Sequence, residues 1–187
     1  MSKFLAPSPR MIPARWHGGS QTPRLIVMHS TVGPTKAGSA EGVADFFKTE
    51  QTPTSAHYVV DAGPYTSAVI QCVPDHTVAY HCGHNQDSIG IEMCDQPAQP
   101  ITRWKDADHQ ALMANAARLV ATLCLAYSIR PWYVPWPALR LGVKGVTTHW
   151  QMTQAFHQST HTDPGAWPRK AFMRAVRAEI KKIRAAQ

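Results

Sequence analysis

Four consecutive apolar residues, Leu25 to Met28 in "RLIVMHS", are flanked on both sides by polar ones. A solid apolar run this short is what a strand covered on both faces looks like, because neither face can be left to water. The run predicts a sheet with chain packed above and below it. It also puts His29 at the end of a buried strand, where the chain emerges toward a cleft. "DSIGIEMC" reads as a second strand, with Ile89, Ile91 and Met93 on one face and Glu92 pointing the other way beside Gly90. "SAHYVVDAG" and "SAVIQCVPD" read as two short strands joined as a hairpin through a Gly-Pro turn.

Between these strands the apolar spacing becomes helical. "GSAEGVADFFKTE" predicts a helix capped by Ser39 that buries Val43, Phe46 and Phe47. Leu112, Ala116, Leu119 and Leu123 recur at steps of four, three and four, which predicts a long core helix from about Ala107 to Tyr127. The Pro- and Trp-rich "RPWYVPWPALRLG" reads as a loop ending near Gly142. From Pro168 onward a basic amphipathic helix has Phe172, Val176, Ile180 and Ile183 apolar, with Arg174, Arg177, Lys181 and Lys182 on or near its wet side. Residues 1–23, rich in Pro, Arg and Gly, read as an irregular arm. Interspersed strands and helices with both hairpins and crossovers predict an α/β fold. The expected architecture is a single domain, 1–187, with a central mixed β-sheet flanked by α-helices.

A chain of 187 residues, 44% apolar, suits one domain with a proper core. Its formal charge of +7 draws it to anionic polymers, whether nucleic acid, anionic lipid or bacterial wall. No nucleic-acid motif accompanies the charge. The four cysteines, Cys72, Cys82, Cys94 and Cys124, form no CxxC pair and read as buried free thiols. No apolar run reaches membrane-spanning length, and "MSKFLAPSPRMIPARWHGG" lacks the apolar region of a signal peptide.

There are 10 histidines, and most carry no local signal. His17, His57, His76, His109 and His157 read as structural or surface residues. His29 ends a buried strand and His149 directly follows "GVTT"; rigid positions like these can aim an imidazole at a metal. Asp163 lies in "HTDPG", which is also good turn chemistry by itself. "HCGH" offers a rival cluster through His81, Cys82 and His84, provided Gly83 allows a sharp turn.

Four segments in order, "LIVMHST", "SAHYVVD", "AYHCGHNQDSIGIEM" and "THW…HTDPG", resemble the zinc N-acetylmuramoyl-L-alanine amidases of the amidase-2 type. That family includes phage endolysins and wall-recycling amidases and is related to peptidoglycan recognition proteins. The resemblance runs from about residue 24 to 168 and implies one Zn2+ held by His29, His149 and Asp163, with the fourth position left for water. It implies Glu92 as the group that moves the proton of that water. Relatives place lysine two residues before the aspartate ligand, where this chain has His161; a ring N–H there could steady the oxyanion instead. His81 and Asn85 match positions that would contact substrate, line the cleft or hold the following strand. His157 is read as a passenger.

The implied activity is hydrolysis of the bond between N-acetylmuramic acid and L-alanine in bacterial peptidoglycan, as a phage endolysin. The expected protein is a monomer with no nucleic-acid partner and no stable membrane association. It would gather in the host cytoplasm before lysis and then act on the wall. The rival readings are a cytoplasmic enzyme recycling muropeptides and a module that binds peptidoglycan without cutting it.

Overall fold

The computed structural model describes residues 8–186; the first seven residues of the expected arm, and Gln187, lie outside the described residues. Six strands form one mixed sheet: β1 (Arg10–Met11), β2 (Leu25–Ser30), β3 (Tyr58–Val60), β4 (Val69–Gln71), β5 (Ser88–Met93) and β6 (Gly145–Thr148). Their order across the sheet is β1-β4-β3-β5-β2-β6. Among the six named strands only the β3–β4 pair is antiparallel; β5, β2 and β6 run parallel side by side in the middle and at one edge.

Alternation along the strands divides the interior into layers. Ile26 and Met28 of β2, and Ile89, Ile91 and Met93 of β5, face the two long helices α3 (Ala107–Ala126) and α6 (Arg169–Ala185). The expected α3 stripe of Leu112, Ala116, Leu119 and Leu123 is wholly buried there. On the opposite face two smaller clusters stand apart. One packs Val59 and Ile70 against α1 (Ser39–Thr49), and the other packs Val27 against the helices α4 (Trp136–Arg140) and α5 (His149–Phe156). The gap between those two clusters opens as a cleft on that face.

Several local readings are corrected. Ser39 is not the cap of α1: Gly38 holds that place with φ +85°, and the buried carboxylate of Asp61 accepts the Ala40 N–H at 2.9 Å from the far end of β3. A partner from another strand has taken the role that a local hydroxyl was expected to fill. The buried row of α1 is Ala40, Ala44 and Phe47, whereas Phe46 is 49% exposed and looks into the gap. The β3–β4 connection contains a one-turn helix, α2 (Tyr65–Ala68), rather than a plain turn. The Pro- and Trp-rich segment contains α4, with Pro at its start, where a missing N–H costs nothing. The arm is not wholly irregular, since β1 pairs in parallel with β4. All four cysteines are free and buried.

Candidate metal centre

His29 and Glu92 are register partners on neighbouring parallel strands, so their side chains emerge together on the same face, into the gap. His149 begins α5 where β6 ends, and Thr148 caps that helix by accepting the Gln151 N–H. Asp163 comes from the loop before α6, held by its own carbonyl, which accepts the Trp150 N–H at 3.0 Å. The Ser30 N–H reaches its Oδ2 at 3.2 Å.

These elements bring three donor atoms together. His29 Nδ1 stands 3.1 Å from His149 Nδ1 and 3.3 Å from Asp163 Oδ2, and His149 Nδ1 stands 3.0 Å from Asp163 Oδ1. Ligands about 2.0–2.2 Å from a tetrahedral metal ion are separated by roughly 3.3–3.6 Å. Two imidazole nitrogens and a carboxylate at nearly that spacing, largely buried, fit a divalent ion of the zinc kind.

A chain of hydrogen bonds fixes which ring nitrogen of His29 is bare. The Ser88 hydroxyl donates to the Asn85 carbonyl at 2.7 Å, so its oxygen must accept from His81 Nε2 at 3.0 Å. His81 Nδ1 is then an acceptor, and His29 Nε2 donates to it at 3.0 Å. His29 Nδ1 is left with its lone pair toward the centre. His149 Nε2 lies 2.9 Å from the Ser159 hydroxyl, whose oxygen also accepts the His161 N–H at 3.1 Å. Such outer partners set tautomer and ring orientation in metal sites. Sequence reading assigned nothing to Ser88 or Ser159, and no spacing in the chain marks either.

Burial lowers the pKa of His29 and carries that of His81 well down. Burial raises Asp163, but the adjoining His149 and His29 rings outweigh it and hold the carboxyl well below the usual range. Glu92 goes the other way: burial, and then the charge of Asp163, push it up to about 8. Its Oε1 is 3.9 Å from His29 Nδ1, and its buried Oε2 has no partner among the described residues. A carboxyl with an idle buried oxygen beside a candidate metal triad is placed to exchange a proton with whatever enters.

His161 stacks on His149 with centroids 4.9 Å apart, its Nδ1 4.0 Å from Asp163 Oδ1 and its side chain 70% exposed. It stands at the lip of the centre. Asn85 Oδ1 accepts the N–H groups of His81 and Cys82 at 2.9 and 2.8 Å, so its side chain holds the turn that presents His81. The rival cluster does not assemble: Cys82 bonds the His84 carbonyl, and the His84 ring lies 3.8 Å over Phe156. His157 ends α5 and bonds Arg140 away from the centre.

The centre opens into a cleft of about 1060 Å³ whose far side is apolar, with Trp16, Val43, Phe46 and Phe47. Behind the centre, Asp95 is fully buried and takes a two-pronged bond from Arg103, both arms at 2.7 Å, while Ser30 Oγ donates to it at 3.2 Å. The neighbouring Trp104 indole donates to the Ala166 carbonyl at 3.1 Å. One short turn, Ile101–Lys105, thus braces both the end of β2 and the loop of Asp163.

Residues 19–166 match the family model described as N-acetylmuramoyl-L-alanine amidase. The chain belongs to that amidase family. Among its members, N-acetylmuramoyl-L-alanine amidase XlyA of Bacillus subtilis (strain 168) is 30% identical over 117 residues, which cover 60% of this chain and 35% of XlyA. The chain spans about a third of the length of the curated relatives it matches. The fold is that of solved amidase-family structures. The Staphylococcus aureus hydrolase AmiA in complex with its ligand superposes with a TM-score of 0.70 at 17% identity, over 93% of this chain and 83% of that one. The catalytic domain of XlyA gives 0.57 at 24% identity, over 92% and 95%.

Proposed function

We propose that this chain hydrolyses the amide bond between N-acetylmuramic acid and L-alanine in bacterial peptidoglycan, with one zinc ion held by His29, His149 and Asp163. The observation that carries this reading is the convergence of three metal-binding atoms beside the unpaired oxygen of Glu92, in an open cleft. A bound zinc ion supplies a polarised carbonyl and a water ionising near neutral pH. Glu92 takes the proton of the attacking water and delivers it to the departing alanine nitrogen. His161, at the lip, donates a ring N–H to the oxygen on which negative charge develops. Asn85 and His81 act from the cleft wall, His81 chiefly by holding His29.

The setting we infer is lysis by a phage endolysin, released onto the wall from the host cytoplasm. The exposed Arg174, Arg177, Lys181 and Lys182 of α6 favour an insoluble anionic substrate over soluble muropeptides. Among the described residues no helix is long and apolar enough to cross a membrane.

The test is digestion of purified peptidoglycan followed by mass analysis. Free peptides beginning with L-alanine, and glycan strands stripped of peptide, are expected from the native chain and not from Glu92→Gln. New reducing sugar ends with peptides still attached would refute the assignment. Cleavage of soluble muropeptides alone would make the chain a recycling enzyme, and binding without products would make it a recognition module.

A further inference from the structure

A second cavity, of about 640 Å³, lies on the other side of the loop that carries Asp163. Thr162, Pro164 and Gly165 of that loop line it, while Asp163 itself lines the cleft. Two kinds of side chain stand out among its other walls. Tyr133, Trp150 and Trp167 are aromatic, and Arg169, Lys170 and Arg174 are cationic.

No carboxylate lines this cavity, and none of its three cations has a carboxylate partner among the described residues. The Arg169 guanidinium lies instead over the Tyr133 ring, 4.4 Å from its centroid. Trp150 remains 39% exposed although its chain neighbour His149 is buried. The indole N–H of Trp167 is buried without an acceptor among the described residues. Large aromatic surface left in water forgoes burial energy, and grouped cations without counter-charge repel one another. Both penalties are relieved by a ligand with apolar ring faces and anionic substituents.

We propose that this cavity is an accessory binding site for an acidic glycan strand, with a sugar face lying on Trp150 and carboxylates meeting Arg169 and Arg174. The polymer's identity rests on the amidase reading above; the aromatic and cationic walls do not. The shared loop selects a glycan over a nucleic acid. That loop contributes Asp163 to the cleft and Thr162, Pro164 and Gly165 to the cavity, so a strand of the proposed wall substrate is the polymer expected beside it.

The experiment uses peptide-free glycan strands of alternating N-acetylglucosamine and N-acetylmuramic acid, which hold no amide bond for the proposed reaction. Binding to the metal-loaded chain is followed by calorimetry. Trp150→Ala is expected to weaken it at least about tenfold, as loss of an aromatic anchor does. Trp150→Phe should retain it within a few-fold, which separates the loss of a binding face from a loss of fold. Arg169→Gln with Arg174→Gln should lower both the affinity and its dependence on salt. Equal binding by Trp150→Ala and the native chain would overturn the proposal. So would no binding of strands together with Trp150-dependent binding of a single-stranded oligonucleotide. Because no cleavage is read, the amidase assignment can fail while this result stands, and the reverse.

Discussion

A methyl group added at Gly90 would test how the centre is held. A Cβ at that position would lie 2.6 Å from His81 Cγ and 2.8 Å from both Cδ2 and Nδ1 of the same ring. Non-bonded carbons prefer about 3.5–4.0 Å, so the deficit is about 1 Å. The strand cannot yield it easily, because Gly90 donates its N–H to His57 Nδ1 and accepts the His57 N–H, each at 3.0 Å. The His81 ring must move instead. A displacement of about 1 Å stretches its 3.0 Å bond to His29 Nε2 beyond hydrogen-bonding range. Overpacking of about 1–3 kcal/mol plus one lost buried bond of about 1 kcal/mol predicts a destabilisation of roughly 2–4 kcal/mol for Gly90→Ala. Freed from its outer partner, His29 should hold zinc about 10–100-fold more weakly. Urea unfolding reads the first quantity and calorimetric zinc titration the second. The decisive comparison is the double variant. In a His81→Ala background the methyl has space, and Gly90→Ala should then cost almost nothing further. If Gly90→Ala costs the same in both backgrounds, the strain lies in the backbone and the reasoning is refuted.

Three more outcomes are expected. His161→Ala should lower turnover by about 100-fold with zinc still bound; loss of zinc on metal analysis would make His161 a ligand. Burial lowers the pKa of His57 from 6.5 to about 4, so on acidification the unfolded chain gains a proton before the folded one. The stability gained by keeping His57 neutral is complete above about pH 6.5, erodes as pH falls toward 4, and shrinks by about 2 kcal/mol between pH 7 and 5. NMR should therefore find a neutral His57 ring at pH 5, and a titration midpoint near 6.5 would contradict this. Arg103→Ala should cost about 3–5 kcal/mol in chemical denaturation, because it leaves Asp95 buried with its main counter-charge gone.

Much of this arrangement could be read from residue order. The apolar run of β2 and the alternation of β5 placed His29 and Glu92 correctly because strand periodicity is a backbone property that neighbours cannot alter. The stripe of α3 was legible for the same reason. The failures share a different cause. Asp61 caps α1 from 21 residues away, and Phe46 turns outward because a whole helix is rotated by its packing on the sheet. The Ser88–His81–His29 relay likewise joins residues on β5, a turn and β2, and no local pattern encodes it. His29, His149 and Asp163 entered as a set only through resemblance to a family, since the chain separates the first two by 120 residues.

The strand order has a consequence for how the centre is acquired. β6, which delivers His149, is the edge strand and its named-strand neighbour is β2 alone. β2 and β5 can pair, and α3 can pack, before that edge arrives. His29 and Glu92 would then be in place with no second imidazole near them. With the zinc site proposed above, high-affinity capture would wait until β6 docks, and a bound ion would clamp that edge of the sheet. Metal retention would then report complete folding, and chelation should loosen β6 and α5 while leaving the β2–β5 core closed.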